Sequence, residues 1–268
     1  MSRRWCIPLT ALALVFGSML AAGSASAATT AGHPAVSHFT PGGIMVRPAG
    51  HVAGSQKVHV NQDESTNWSG YAVTGANGAY HSVTASWVEP TGTCTSRRAA
   101  QYSSFWVGLD GFNSDSVEQT GTDVDCNGRT PVYYGWYEMY PANPVNYTNT
   151  VKPGDHFSAS VTFAGTETYT LVLTDSTQGW THTTVKNETG LDRSSAEVIT
   201  EAPSSESGVL PLADFGTVSY STSTANGTSL GSQSPTEIIM IDNSGAQKDS
   251  TSAISSGGAF SNTWIRSN

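Results

Sequence analysis

The sequence predicts an all-β sandwich, on three observations. The stretch 155–163 alternates strictly, with Phe157, Ala159, Val161 and Phe163 on one face and His156, Ser158, Ser160 and Thr162 on the other, the period-2 pattern of a half-buried strand. Comparable short runs recur along the chain between Gly, Asn, Pro and Ser turns, which is how a many-stranded sandwich is punctuated. No stretch offers the 3.6-residue apolar period of an amphipathic helix.

In chain order the predicted strands are 68–73, 83–88, 102–109, 132–140, 155–163, 169–174, 181–185, 196–200, 217–221 and 237–241. No repeat of fixed period links them, so a single domain over 62–268 is expected. The chain before it is of another kind. Arg3 and Arg4, an apolar run over 7–22 and the small-residue site Ala25-Ser26-Ala27 predict a secretory signal peptide over 1–27. The apolar run is short and broken by Pro8 and Gly17, and no later segment approaches the roughly 18 apolar residues of a membrane span, so no membrane partner is expected. Residues 28–61 show no sustained period and carry His33, His38, His51 and His59. They are expected to be a leader or propeptide, which in an acid-active enzyme would be released as the imidazoles charge between about pH 7 and 5.

Composition narrows the function. The 268 residues carry 12 Lys plus Arg against 21 Asp plus Glu, a net charge of -9, and only 12% are charged, about half the usual share. A phosphate-binding surface needs clustered cations, and the only adjacent pairs are Arg3 with Arg4 and Arg97 with Arg98, so nucleic acid is not an expected partner. Loss of the signal peptide removes Cys6 and leaves Cys94 and Cys126, an even pair in an oxidising compartment, for which a disulfide is the simplest reading. Four N-x-S/T sequons begin at Asn67, Asn146, Asn187 and Asn226.

Several chemistries lack their residues. There is no G-x-S-x-G elbow, no H-E-x-x-H, no paired-cysteine zinc spacing and no Gly-rich phosphate loop, so no metal or cofactor is expected. His81, His156 and His182 are the histidines left outside the leader, and the last two read as surface residues of alternating strands. Carboxylate chemistry remains. In YYGWYEMYP at 133–141, Tyr134, Trp136, Glu138 and Tyr140 share one face, which puts a carboxylate among aromatic rings, as in a groove for peptide or sugar. A core face backed by a solvated aromatic ladder fits as well. In SSAEVITEAP at 194–203, Glu197 and Glu201 share a face with Ser195 and Ile199, and from this segment alone a solvated charge pair is the better reading of them.

These runs, together with NWSGYAV at 67–73, ASWVEP at 85–90, FWVGLDG at 105–111 and VEQTGTD at 117–123, resemble the glutamic peptidases, the eqolisins of peptidase family G1, in family order over 67–242. The resemblance implies a sandwich of two large antiparallel sheets, concanavalin A-like, with the cleft on its concave face. It implies a catalytic pair, Gln119 from a Q-T-G turn and Glu197 from the A-E-x-I strand, in which Glu197 is general base and then acid and Gln119 donates to the oxyanion. Trp106, Asp110, Asp123, Trp136, Glu138 and Tyr140 match positions that line or brace the cleft. The implied protein is a secreted, monomeric endopeptidase made as a zymogen, working on protein or peptide substrates at acid pH with no cofactor. A glutamate with a reference pKa of about 4.3 is a usable base at such pH, and an amide donor never titrates. Two other classes use such a fold: a lectin-like carbohydrate-binding sandwich, and a glycoside hydrolase with Glu138 and Glu197 as its paired carboxylates.

Overall fold

Strands of alternating small polar and apolar residues build two sheets in the computed structural model, which describes residues 45–46, 62–97, 99–205 and 208–268. The predicted signal peptide lies outside the described residues, and so does the predicted leader except for 45–46. The nine-stranded sheet runs in the order β1 (Met45–Val46), β2 (Gln62–Ser65), β17 (Thr236–Met240), β3 (Trp68–Thr74), β12 (Ser195–Glu201), β5 (Ser104–Leu109), β6 (Val117–Asn127), β7 (Thr130–Tyr140), β8 (Val145–Asn146). The facing sheet runs β11 (Trp180–Asn187), β10 (Thr168–Asp175), β9 (His156–Phe163), β4 (Ser82–Val88), β15 (Thr217–Ala225), β19 (Phe260–Trp264), β18 (Asp249–Thr251), with β16 (Thr228–Ser229) paired to β15. A small hairpin joins β13 (Ser204–Ser205) and β14 (Gly208–Val209). Pairing is antiparallel except between β17 and β2.

Each predicted strand is present, seven of the ten longer by one to four residues. The alternation at 155–163 sorts as its pattern requires, since Phe157, Ala159 and Val161 are buried while His156 and Ser158 are exposed. Such inward residues from both sheets, among them Val107, Val198, Leu171, Leu173, Val83 and Val218, form one core. Among strands of three or more residues, four escaped the sequence pattern outright: β6, β2, β18 and β19. The Q-T-G segment, expected as a turn, is the middle of β6. Its residues are buried on both faces and therefore show no alternation of polarity to read.

That difference in burial separates the two sheets. The strands β5, β6 and β12 are buried at nearly every position, whereas β4, β9 and β10 alternate and present Ser and Thr outward. Cys94 and Cys126 are bonded, which ties the end of β6 to the segment after β4. Among the described residues the only salt bridge joins Arg266 to Asp242, and no helix is long and apolar enough to cross a membrane.

Candidate active site

The predicted pair meets on one row of the nine-stranded sheet. Across β3, β12, β5, β6 and β7 the directly opposed residues are Ala72, Glu197, Gly108, Gln119 and Glu138. Directly opposed residues point to the same face of a sheet, so Glu197, Gln119 and Glu138 share the face turned away from the core. Glu197 and Gln119 stand two strand spacings apart, roughly 9.6 Å between backbones, with only Gly108 between them. A Cβ added at Gly108 would lie 2.8 Å from Cζ3 of Trp106, so the glycine makes room for that indole beside the row. Sequence reasoning passed over Gly108, which sits inside the quoted F-W-V-G run, because nothing in a sequence says which residues a strand faces.

Gln119 is oriented by a neighbour. Its Nε2 donates to Glu138 Oε2 at 2.7 Å, while its Oε1 has no protein partner. Both residues are buried, and burial, reinforced by the charge of Glu201, pushes the Glu138 carboxyl up to about 9. Glu201 accepts from Trp106 Nε1 at 2.8 Å and from Asn67 Nδ2 at 3.0 Å, and burial pushes it up to about 8. The Asn67 sequon is therefore buried, its amide committed to Glu201.

Glu197 is fully buried and neither of its oxygens has a hydrogen-bond partner. Burial first, then the charges of Asp110 and Glu118, hold its carboxyl well above the ordinary range. This corrects the expectation for the segment: Glu197 and Glu201 are buried and are not a solvated charge pair. Asp110 fixes the approach to β12. At φ 70, a conformation that aspartate tolerates better than most residues, it accepts from the backbone N–H of Arg193 at 2.6 Å and of Ser194 at 2.8 Å.

A pocket next to the row is lined by Gln119, Asp123, Trp136, Glu138, Glu201 and Pro203, among others. Asp123 accepts from Trp136 Nε1 and, at 2.9 Å, from Tyr134 Oη, and burial pushes it up to about 7. Trp106 packs edge-on against Trp68 at 5.0 Å. Of the residues expected to line or brace the cleft, Trp106, Asp110 and Tyr140 do not line the pocket: Trp106 reaches it through Glu201, Asp110 holds the approach to β12, and Tyr140 ends β7 next to Pro141. The aromatic residues on the other face of β7, Tyr133 and Tyr137, pack against the core. One face of that run is thus a core face, but the other is not a solvated aromatic ladder, since Tyr134, Trp136 and Glu138 are buried. Among the described residues no cluster of His, Cys, Asp and Glu could hold a metal ion.

Comparison with known proteins gives a consistent result. Residues 66–264 match the Peptidase A4 family. Aspergillopepsin-2 of Aspergillus niger is 27% identical over 229 residues, covering 76% of this chain and 79% of that protein. The crystal structure of scytalido-glutamic peptidase with a transition state analog inhibitor superposes with a TM-score of 0.63 at 26% identity, over 75% of this chain and 98% of that one. Aspergilloglutamic peptidase from Aspergillus niger gives a TM-score of 0.56 at 26% identity, over 62% of this chain and 99% of the other.

Proposed function

The chain belongs to the Peptidase A4 family and is a glutamic-type endopeptidase, and on that premise we propose that Glu197 and Gln119 are the pair that cleaves the peptide bond. The observation that carries this reading is their shared row, on one face of one sheet, with only Gly108, which has no side chain of its own, between them in the register. Buried without partners, Glu197 keeps its proton. Water reaching its carboxyl hydrogen-bonds the ionised form and carries that first proton away to solvent, and ionised Glu197 then takes a proton from a bound water as it attacks the scissile carbonyl. Gln119 spends one N–H on Glu138 and offers the other to the developing oxyanion, where a preorganised donor is worth about 3–4 kcal/mol. Protonated Glu197 returns its proton to the leaving amine.

Peptide binding falls to the wall beside the row, with Trp136, Asp123 and Glu138, and Trp106 and Asp110 brace it from behind. The wall carries no cation, and its carboxyls stay neutral up to about pH 7, which suits work in acid. Removal of 1–27 on export and of the leader over 28–61 leaves a secreted, monomeric enzyme over 62–268. The bonded Cys94 and Cys126 fit that compartment. A glycosidase reading is less well supported, since Glu138 and Glu197 are three strands apart, with Gln119 and Gly108 between them.

The test is hydrolysis of a denatured protein from pH 2 to 7 by wild type, Glu197→Gln and Gln119→Ala. Glu197→Gln imitates the protonated side chain, so it should fold and lose activity by about 10²–10⁴-fold, and Gln119→Ala by about 10²–10³-fold. Activity retained in Glu197→Gln would sink the assignment.

A further inference from the structure

One polar group at the wall of the cleft has more short contacts than its hydrogens explain. Tyr134 Oη lies 2.9 Å from Asp123 Oδ2 and 2.6 Å from Asp125 Oδ2. A phenol has one hydrogen to give, so two ionised carboxylates on one phenol oxygen would leave the second contact as two lone pairs pressed together. The arrangement closes if one carboxyl keeps a proton and donates it to Tyr134 Oη while the phenol donates to the other.

The surroundings decide which carboxyl keeps it. Asp123 is opposite Tyr134 in the register and has other donors, the indole N–H of Trp136 on Oδ1 and Ser104 nearby, so of the two it is the one that ionises first as pH rises. Asp125, two residues on along the same face of β6, has no partner on Oδ1. Burial and then the charge of Asp123 drive its carboxyl well above the ordinary range. The proton order is thus Asp125 to Tyr134 to Asp123, with Trp136 held at the far end. The other carboxyls near Asp123 are Glu89 beyond β4, Glu138 on β7 and Glu201 on β12, each held further up by the charge of Asp123, and no cation acts on Asp123 among the described residues.

We propose that Asp125 and Tyr134 are positioning residues for peptide cleavage: the proton Asp125 gives to Tyr134 holds Asp123 against the Trp136 indole, and its loss frees Trp136 from the substrate-binding wall. Tyr134 lines the pocket while Asp125 does not, and both act through Asp123 and Trp136. The unit rests on the peptidase reading of the cleft but not on Glu197 as its base, and it sets an upper pH limit through substrate binding rather than through the chemical step.

KM and kcat for a synthetic peptide are measured from pH 3 to 8, with far-UV circular dichroism at each pH to keep global unfolding apart. In wild type KM rises at the upper pH limit while kcat changes less. Asp125→Asn supplies an N–H to Tyr134 that does not titrate, and the rise in KM should move up by at least about one pH unit. Tyr134→Phe cuts the link, so KM should be higher at every pH and no longer vary across that limit. Adding Asp125→Asn to Tyr134→Phe should then change nothing further. A KM rise in Asp125→Asn that coincides with wild type overturns the proposal. Should Asp125→Asn not fold, a wild-type pH dependence of KM in Tyr134→Phe overturns it instead. Failure of the Glu197 assignment is read separately, from kcat of Glu197→Gln at acid pH.

Discussion

Glu197 and Gln119 lie on one register row of the nine-stranded sheet with Gly108 directly between them. The glycine is required by packing, because any Cβ there meets Trp106 Cζ3 at 2.8 Å and Gln119 Cβ at 3.3 Å. Gly108→Ala should push the indole across the row, lower kcat/KM by about tenfold or more, and cost about 1–3 kcal/mol of stability as an overpacked site. Steady-state kinetics together with thermal melting check both effects, and an unchanged kcat/KM would remove Gly108 from the description of the site.

Glu138 orients Gln119 through one hydrogen bond of 2.7 Å. At acid pH its carboxyl is neutral, so Glu138→Gln presents a similar shape with an acceptor still in place and should keep most activity. Glu138→Ala removes the acceptor, leaves a buried amide N–H unpaired at a cost of about 1–3 kcal/mol, and frees the amide to turn. The expected drop in kcat is about 10²-fold. Equal activity in the two variants would show that Glu138 does not orient the amide.

Stability should fall as pH rises. Glu118 and Glu138 are held up to about 9, Glu201 to about 8, and Asp123 and Asp249 to about 7, each with burial as the largest cause. The unfolded chain ionises these groups near pH 4 while the folded chain keeps their protons. Their contribution is therefore complete below about pH 4 and is lost as pH climbs through 7 to 9, by up to about 1.4 kcal/mol per group per pH unit within that window. Asp242, exposed, hydrogen-bonded to Ser244 and paired with Arg266, is held down to about 2 and has the opposite sign, but it is one group against many. Melting temperatures between pH 3 and 9 should decline from acid to alkaline, and a rise between pH 5 and 8 would contradict the account.

The Cys94–Cys126 bond closes a loop with a sequence separation of 32. Loop-closure entropy for that length gives about 3–4 kcal/mol. The double Cys→Ser variant should lose about that much by denaturant unfolding at pH 4. Because Cys126 follows Asp125 at the end of β6, the loosening should also raise KM. A loss well under 1 kcal/mol would mean that the loop is held by other contacts.

Much of the molecule can be read from its sequence wherever one face of a strand meets water. The alternation of Phe157, Ala159 and Val161 with His156, Ser158 and Ser160 is a direct print of a sheet with one wet face, and β4 and β10 carry the same print. The print is absent from β6, where Gln119, Thr120, Gly121 and Thr122 are buried on both sides. The residues there look like a turn by composition, and only pairing with β5 and β7 makes them a strand.

The sequence by itself determined the fold class and the shortage of cations and, through ordered motifs, the residues of the proposed site. Tertiary structure alone decided that Cys94 and Cys126 pair, that Glu197 and Gln119 share a row, that Gly108 gives the Trp106 indole its place beside that row, and that Tyr134 is shared by Asp123 and Asp125. The physical reason is that register and burial depend on contacts between residues far apart in the chain. Glu197 is 78 residues beyond Gln119 along the chain but two strands away in space. The same distant contacts remove water from the carboxyls, and so it is the fold that decides which of them stay protonated.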